Sequence, residues 1–335
     1  MRYIIVLIVW AVGFAAQAQD WEDQQRFGPQ TDQPPLRVLS STDTDLFAPV
    51  VDSFLAASPG VSIEYLVTST ASLDRIFRAA PDQYDVVISS AMDLQLKLAN
   101  DGFARRLDGL DHPDWAEWRN SLFAFTQEPA AIVVNRAAFE GAAIPQTRQD
   151  LIETLRADPD RFRGRLGTYD VRQSGLGYLF ATQDARASET YWRLMEVMGG
   201  LQTRLYCCSG DMIDDLADGS IAVAYNVLGS YAVARDDISD RIHVILPSDF
   251  PTTMMRTALV SGSTTQPDLA EAFVAHLIST QSQGGENTPL PPLKSGEENA
   301  GKAIITLEPA LMTYLDAQKR RVFLREWENA MIQSP

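Results

Sequence analysis

Cysteine is almost absent from this 335-residue chain: Cys207 and Cys208 are the only two, and they are adjacent. Adjacent cysteines can close only a small strained ring, so no disulfide framework staples distant parts of the chain. Stability must come from packed cores. Histidine is equally scarce, with only His112, His243 and His276, and none falls beside a candidate loop. Lysine is confined to Lys97, Lys294, Lys302 and Lys319, the remaining bases being arginine. The 44 acids outnumber the 28 bases, for a formal charge of −16. Nucleic acid and anionic membrane surfaces repel such a chain, which is expected to be a soluble monomer. Past the first residues no apolar run approaches the length of a membrane span.

What is present begins with the pattern of a secretory signal over residues 1–18. Arg2 supplies the positive start, Ile4 to Phe14 the apolar core, and Ala16-Gln17-Ala18 the small-residue cleavage site. Gln19 follows that site, where a lipid-anchored protein would have cysteine. The expectation is an exported, periplasmic protein. Residues 19–35 are polar and proline-containing and read as a loose leader. The remainder suffices for two domains of ordinary size.

Three times an apolar strand runs into a hydroxyl-rich loop and then a helix. Leu36-Arg37-Val38-Leu39 leads into Ser40-Ser41-Thr42, Ile63 to Val67 into Thr68-Ser69-Thr70, and Asp85 to Ile88 into Ser89-Ser90. Strands alternating with amphipathic helices predict an α/β fold with mainly parallel sheets. Loops after neighbouring parallel strands share one sheet edge, where α/β proteins bind ligands. Helix starts there present unpaired N–H groups and favour negative or strongly polar groups without a cationic side chain. The same hydroxyls would also serve as ordinary helix caps.

In the second half, strands are expected near Arg165–Asp170, Leu201–Cys207, Ile221–Tyr225 and Ile242–Leu246. Helices are expected from Gly175, from Ser188 to Met198, from Asp211 to Ala217 and from Pro267 to Thr280. A surface loop is expected at 284–301, then one long helix from Ala310 to Met331 with Lys319-Arg320-Arg321 on a solvated face. Between strand and helix, Asp170-Val171-Arg172-Gln173-Ser174-Gly175 offers a guanidinium that can fork onto a carboxylate or phosphate. It also offers a glycine that lets backbone approach a ligand closely. An ion pair with Asp170 is the competing use of Arg172.

The order of these pieces resembles the bacterial extracellular solute-binding proteins of ABC transporters, in particular the two-lobed group with iron(III), phosphonate and phosphoglycerate-type binders. The matching segments are Arg37 to Ser41, Thr68 to Ser72, Tyr84 to Ser90, Gly167 to Tyr178, Asp218 to Asn226 and Pro267 to Phe273. The resemblance implies a two-lobed periplasmic-binding-protein-like fold of type II, with residues 36–127 and 247–335 in one lobe and 128–246 in the other. It implies a ligand clamped by hinge closure and handed to a membrane permease, with no chemistry done on it. Ser41, Thr42, Ser69, Thr70 and Ser90 sit where such proteins line the cleft, as do Tyr225 and Asn226 at a strand end. Arg172, Ser174 and Gly175 join them from the second lobe, Ser209 from the turn after the cysteines, and Tyr231 is a further candidate.

These residues point to a small organic anion, carboxylated or phosphorylated, with no cofactor and no resident metal. A ferric ligand is the alternative, but Tyr225-Asn226-Val227-Leu228-Gly229-Ser230-Tyr231 lacks the adjacent tyrosines of iron-binding members. A cysteine nucleophile at Cys207 or Cys208 would require a base within reach, and no histidine is near in sequence. The long final helix resembles members that act on a membrane sensor kinase, so sensing stands beside transport as a reading.

Overall fold

The computed structural model describes residues 21–283, 290–294 and 303–333. The chain opens with β1 (Asp23–Phe27), β2 (Leu36–Ser40), α1 (Thr44–Ala57), β3 (Ile63–Val67), α2 (Thr70–Ala79), β4 (Val86–Ser89) and α3 (Met92–Asn100). Two short strands, β5 (Glu117–Trp118) and β6 (Leu122–Ala124), precede the long β7 (Glu128–Asn135). Next come α4 (Arg148–Ala157), α5 (Pro159–Phe162), β8 (Leu166–Tyr169), α6 (Gly175–Ala187) and α7 (Thr190–Gly200). They are followed by β9 (Arg204–Tyr206), α8 (Ser209–Asp218), β10 (Val223–Leu228), α9 (Gly229–Val233) and β11 (Ile242–Ile245). The chain then returns through β12 (Thr253–Met254), β13 (Thr257–Val260), α10 (Pro267–Gln283) and α11 (Ala317–Met331).

Two sheets result. The first has seven strands in the order β1-β3-β2-β4-β13-β6-β5, with β3, β2 and β4 parallel. Their near-continuous apolar runs follow from helices on both faces, and Phe47, Val51, Phe54 and Phe273 fill one side. The second sheet has six strands, β11-β7-β10-β8-β9 with β12 on β7, and parallel pairs only at β10-β8 and β8-β9. The chain crosses between sheets twice, from Ala124 to Glu128 and from Met254 to Thr257. A third apolar cluster, with Leu39, Met92, Tyr169, Met212 and Met255, lies between the sheets.

Three expectations need correction. Residues 23–27 are not a loose leader: β1 pairs antiparallel with β3 along its whole length. That pairing covers what would otherwise be an open parallel edge. The return to the first sheet comes after Met254 and not at 247, because Asp249 and Phe250 are held by Arg148 and β12 pairs with β7. The C-terminal segment is not one helix packed on the first sheet. Residues 309–315 form a 3-10 turn, and Asp316 then caps α11 by accepting from the N–H groups of Gln318 and Lys319. From there Phe323, Trp327 and Met331 join the core of the second sheet with Tyr178 and Met195. The expected loop at 284–301 lies largely outside the described residues.

Candidate functional site

Each loop carrying a candidate hydroxyl follows the C-terminal end of a strand, and the two sheets turn these edges toward each other. Ser41, Thr68, Ser69, Thr70 and Ser90 come from the first sheet, and Ser174, Leu176, Ser209, Leu228 and Tyr231 from the second. With Glu22, Asp43, Tyr169 and the cysteine pair they line a cavity of about 40 Å³ between the bodies. From Asp43 and Tyr231 a wider groove of about 1060 Å³ opens outward between α1 and α8–α9, edged by Asp45, Asp52, Asp214 and Asp236.

The hydrogen bonds of the wall are specific. Ser69 caps α2 by accepting from Ser72 N–H at 3.2 Å, and Ser174 caps α6 by accepting from Gly177 N–H at 3.1 Å. The Thr70 hydroxyl reaches across the cleft and accepts from the N–H groups of Gly175 at 2.8 Å and Leu176 at 3.2 Å. Glycine at 175 makes this approach feasible, because a Cβ there would stand 3.0 Å from Leu94 and 3.2 Å from Ala91. Ser41 Oγ accepts from Ser90 N–H at 3.3 Å. Ser209 Oγ and Tyr169 Oη share a hydrogen bond of 2.5 Å. The Tyr231 hydroxyl donates to Asp43 Oδ1 at 3.3 Å. The starts of α1 and α8 have no side-chain cap.

Among the described residues, no lysine or arginine lines the inner cavity. Burial pushes the Asp43 carboxyl above the usual range, partly offset by Arg256. Glu22 is raised as well, by burial and then by repulsion from Asp43 and Asp211. Burial also raises the phenols of Tyr169 and Tyr231.

Beneath the cavity Arg256 and Glu128 form a fully buried ion pair, Nε to Oε1 at 3.0 Å and Nη2 to Oε2 at 3.1 Å. Arg256 Nη1 donates to Thr42 Oγ1 at 2.6 Å, and Ser230 Oγ donates to Glu128 Oε2 at 2.5 Å. Thr42 therefore supports the site from behind and does not line it. The buried pair ties a first-sheet loop to the residue beside Tyr231.

Three predicted residues are elsewhere. Arg172 is forked onto Asp170, Nε to Oδ1 and Nη2 to Oδ2 both at 2.8 Å. It faces α11, with Glu328 at 3.6 Å and the Trp327 ring 5.8 Å from its guanidinium carbon. Tyr225 and Asn226 are buried within the second body. Tyr225 Oη donates to Asp184 Oδ2 at 2.7 Å and accepts from Arg148 Nε at 2.7 Å. Asn226 Nδ2 donates to the same Asp184 oxygen at 2.8 Å. A bulge between Tyr225 and Val227, with Asn226 at φ +63°, turns this part of β10 inward. Sequence reasoning missed Glu22, Asp43, Thr68 and Tyr169. Asp43 had a signal, standing next to Ser41-Thr42 before a helix; Glu22 had none, since its segment read as unstructured.

Of the histidines, His276 hydrogen-bonds Ser53 at 2.7 Å, and none lines the cavity. Among the described residues, three potential metal donors gather at one place: Cys207, Cys208 and Asp211. The two sulfurs are joined to each other.

Residues 36–284 match the family described as bacterial extracellular solute-binding protein. The fold is similar to the substrate-binding protein of an ABC transporter from Agrobacterium tumefaciens, at 30% identity and TM-score 0.87, over 92% of this chain and 98% of that one. It is also similar to the periplasmic binding protein AfuA of Actinobacillus pleuropneumoniae, solved with fructose-6-phosphate, at 14% identity and TM-score 0.70 over 90% and 99% of the chains. Iron-bound HitA of Pseudomonas aeruginosa matches at 14% identity and TM-score 0.63 over 89% and 99%. At these lower identities the likeness concerns the fold. No curated protein matches the sequence.

Proposed function

The chain belongs to the bacterial extracellular solute-binding protein family, and from that premise we propose that it captures a small organic anion in the periplasm for an ABC permease. Closure of the two bodies holds the solute, a carboxylate or a phosphate ester. The observation that carries this reading is the hydroxyl of Thr70 seated on the first N–H groups of α6. That oxygen occupies the place an anionic oxygen would take at a helix start. The starts of α2 and α8 meet the same cavity through Ser69 and Ser209. Glu22 and Asp43 then suit the hydroxyl groups of a sugar-like or hydroxy-acid body, as acceptors. The likeness to a fructose-6-phosphate binder supports this class.

Ferric iron is the second reading, favoured by the oxygen donors Glu22, Asp43, Tyr169 and Tyr231 on one cavity and by the likeness to HitA. Against it, the Tyr225–Tyr231 segment has no adjacent pair of tyrosines, and no histidine lines the cavity.

A thermal-shift panel of inorganic phosphate, phosphate esters, phosphonates, di- and tricarboxylates and Fe(III) separates the two. At a hundred times its dissociation constant the anion is expected to add about 2.7 kcal/mol of stability. Its affinity is expected to rise as pH falls, because Glu22 and Asp43 take up protons above the usual carboxylate range and cease to repel it. Stabilisation by Fe(III) alone, with every anion inactive, overturns the proposal.

A further inference from the structure

The wall of the cleft carries one group of atoms that the solute reading does not use. Sγ of Cys207, Sγ of Cys208 and a carboxylate oxygen of Asp211 lie within 4.8 Å of one another. Cys207 Sγ is 3.8 Å from Asp211 Oδ2. Cys208 is the residue that precedes the first turn of α8, and Asp211 lies in that turn. A helix start lowers the pKa of a thiol beside it. Cys207 and Cys208 both belong to the lining of the cavity. While they are bonded to each other they offer no thiolate.

We propose that the Cys207–Cys208 pair is a redox-gated site for one thiophilic divalent cation of the zinc and cadmium class, independent of which solute the cleft takes. Opening it takes a two-electron reductant, and a dithiol acts by thiol–disulfide exchange. The reductant's thiolate attacks one protein sulfur to give a mixed disulfide and expel the other as a thiolate, which takes up a proton. Its second thiol then resolves that bond, so the protein gains two electrons and two protons and the reductant leaves as its own disulfide. Metal binding displaces the two thiol protons. Two thiolates and the Asp211 carboxylate make three ligands of a tetrahedral set, with the fourth position open to the cleft. Soft sulfur donors select zinc and cadmium over calcium and magnesium, which prefer oxygen. The oxidised protein is thus metal-free at this point and the reduced one carries a cation beside the solute.

The test uses the full exported chain, reduced with tris(2-carboxyethyl)phosphine, desalted without oxygen and titrated with Cd²⁺. The thiolate-to-cadmium charge-transfer absorbance and the bound metal are both measured. The reduced protein is expected to take up one Cd²⁺ per chain, and the oxidised protein none at this site. Cys207→Ser and Cys208→Ser each abolish the absorbance, and Asp211→Asn weakens binding by at least about tenfold, since even outer partners of metal ligands are worth that much. Circular dichroism and melting of each metal-free variant confirm that it is folded. The proposal is overturned if reduction frees no titratable thiols in the native protein. It is equally overturned if the reduced wild type binds Cd²⁺ no better than the double serine variant, or if Asp211→Asn binds as wild type does.

Discussion

Arg172 makes two parallel bonds to Asp170 and lies over Trp327, with Glu328 near its outer face. Its charge is spent within the second body, a few residues from the cleft. Arg172→Ala is therefore expected to leave solute affinity within about twofold and to cost about 1.5–3 kcal/mol of stability, because it strips the buried Asp170 carboxylate of its two charged donors. Calorimetry with the active anion from the panel, alongside urea denaturation, checks both. At this scale the hydroxyls were legible and the charged contacts were not. Ser69, Thr70, Ser174 and Ser209 follow from strand–loop–helix punctuation alone. The side to which Arg172 turns depends on α11, which is 145 residues away at its start (317 − 172). Asp43 and Glu22 meet only through tertiary structure.

Among the elements, α11 departs most from its expected place. Its apolar stripe was legible, but nothing local says which body receives it. The answer lies in α7, where Gly199 lets the C-terminal backbone approach: a Cβ there would stand 2.2 Å from the Ala330 carbonyl oxygen and 2.8 Å from that of Met331. Backbone cannot rotate away from such a clash as a side chain can. Gly199→Ala is expected to destabilise the fold by about 1–3 kcal/mol, the range of overpacked core sites. The loss should appear first as increased amide exchange in α11, ahead of global unfolding. Equal protection of α11 in the variant would mean that the helix is held elsewhere. β1 shows the same dependence, since an exposed sequence of Asp, Gln and Arg carries no strand signal until β3 offers it an edge.

On the scale of the whole molecule, two crossings join the bodies, and the ends of both carry the buried Arg256–Glu128 pair. Burial would lower the Arg256 pKa and raise that of Glu128, but their mutual attraction overrides it in both. Both remain ionised. Removing one partner leaves the other charge buried and unpaired, so Arg256→Met is expected to cost about 3–5 kcal/mol in urea denaturation. The paired change Arg256→Met with Glu128→Leu should recover much of that loss. An additive double variant would show that the two act separately. Between these crossings and the cleft, Thr70 and Gly175 join the two bodies by a direct hydrogen bond. The sequence by itself determined the α/β class, the two-body plan, the hydroxyl-bearing helix starts and the family, because these are written in short-range periodicity and in the order of pieces. Tertiary structure decided the destination of α11, the pairing of β1, the acids that face the cleft and the inward burial of Tyr225 and Asn226. Each of those depends on what a distant segment packs against, from about 40 residues away for β1 and for Tyr225 and Asn226 to more than a hundred for α11, and no local pattern encodes such a partner.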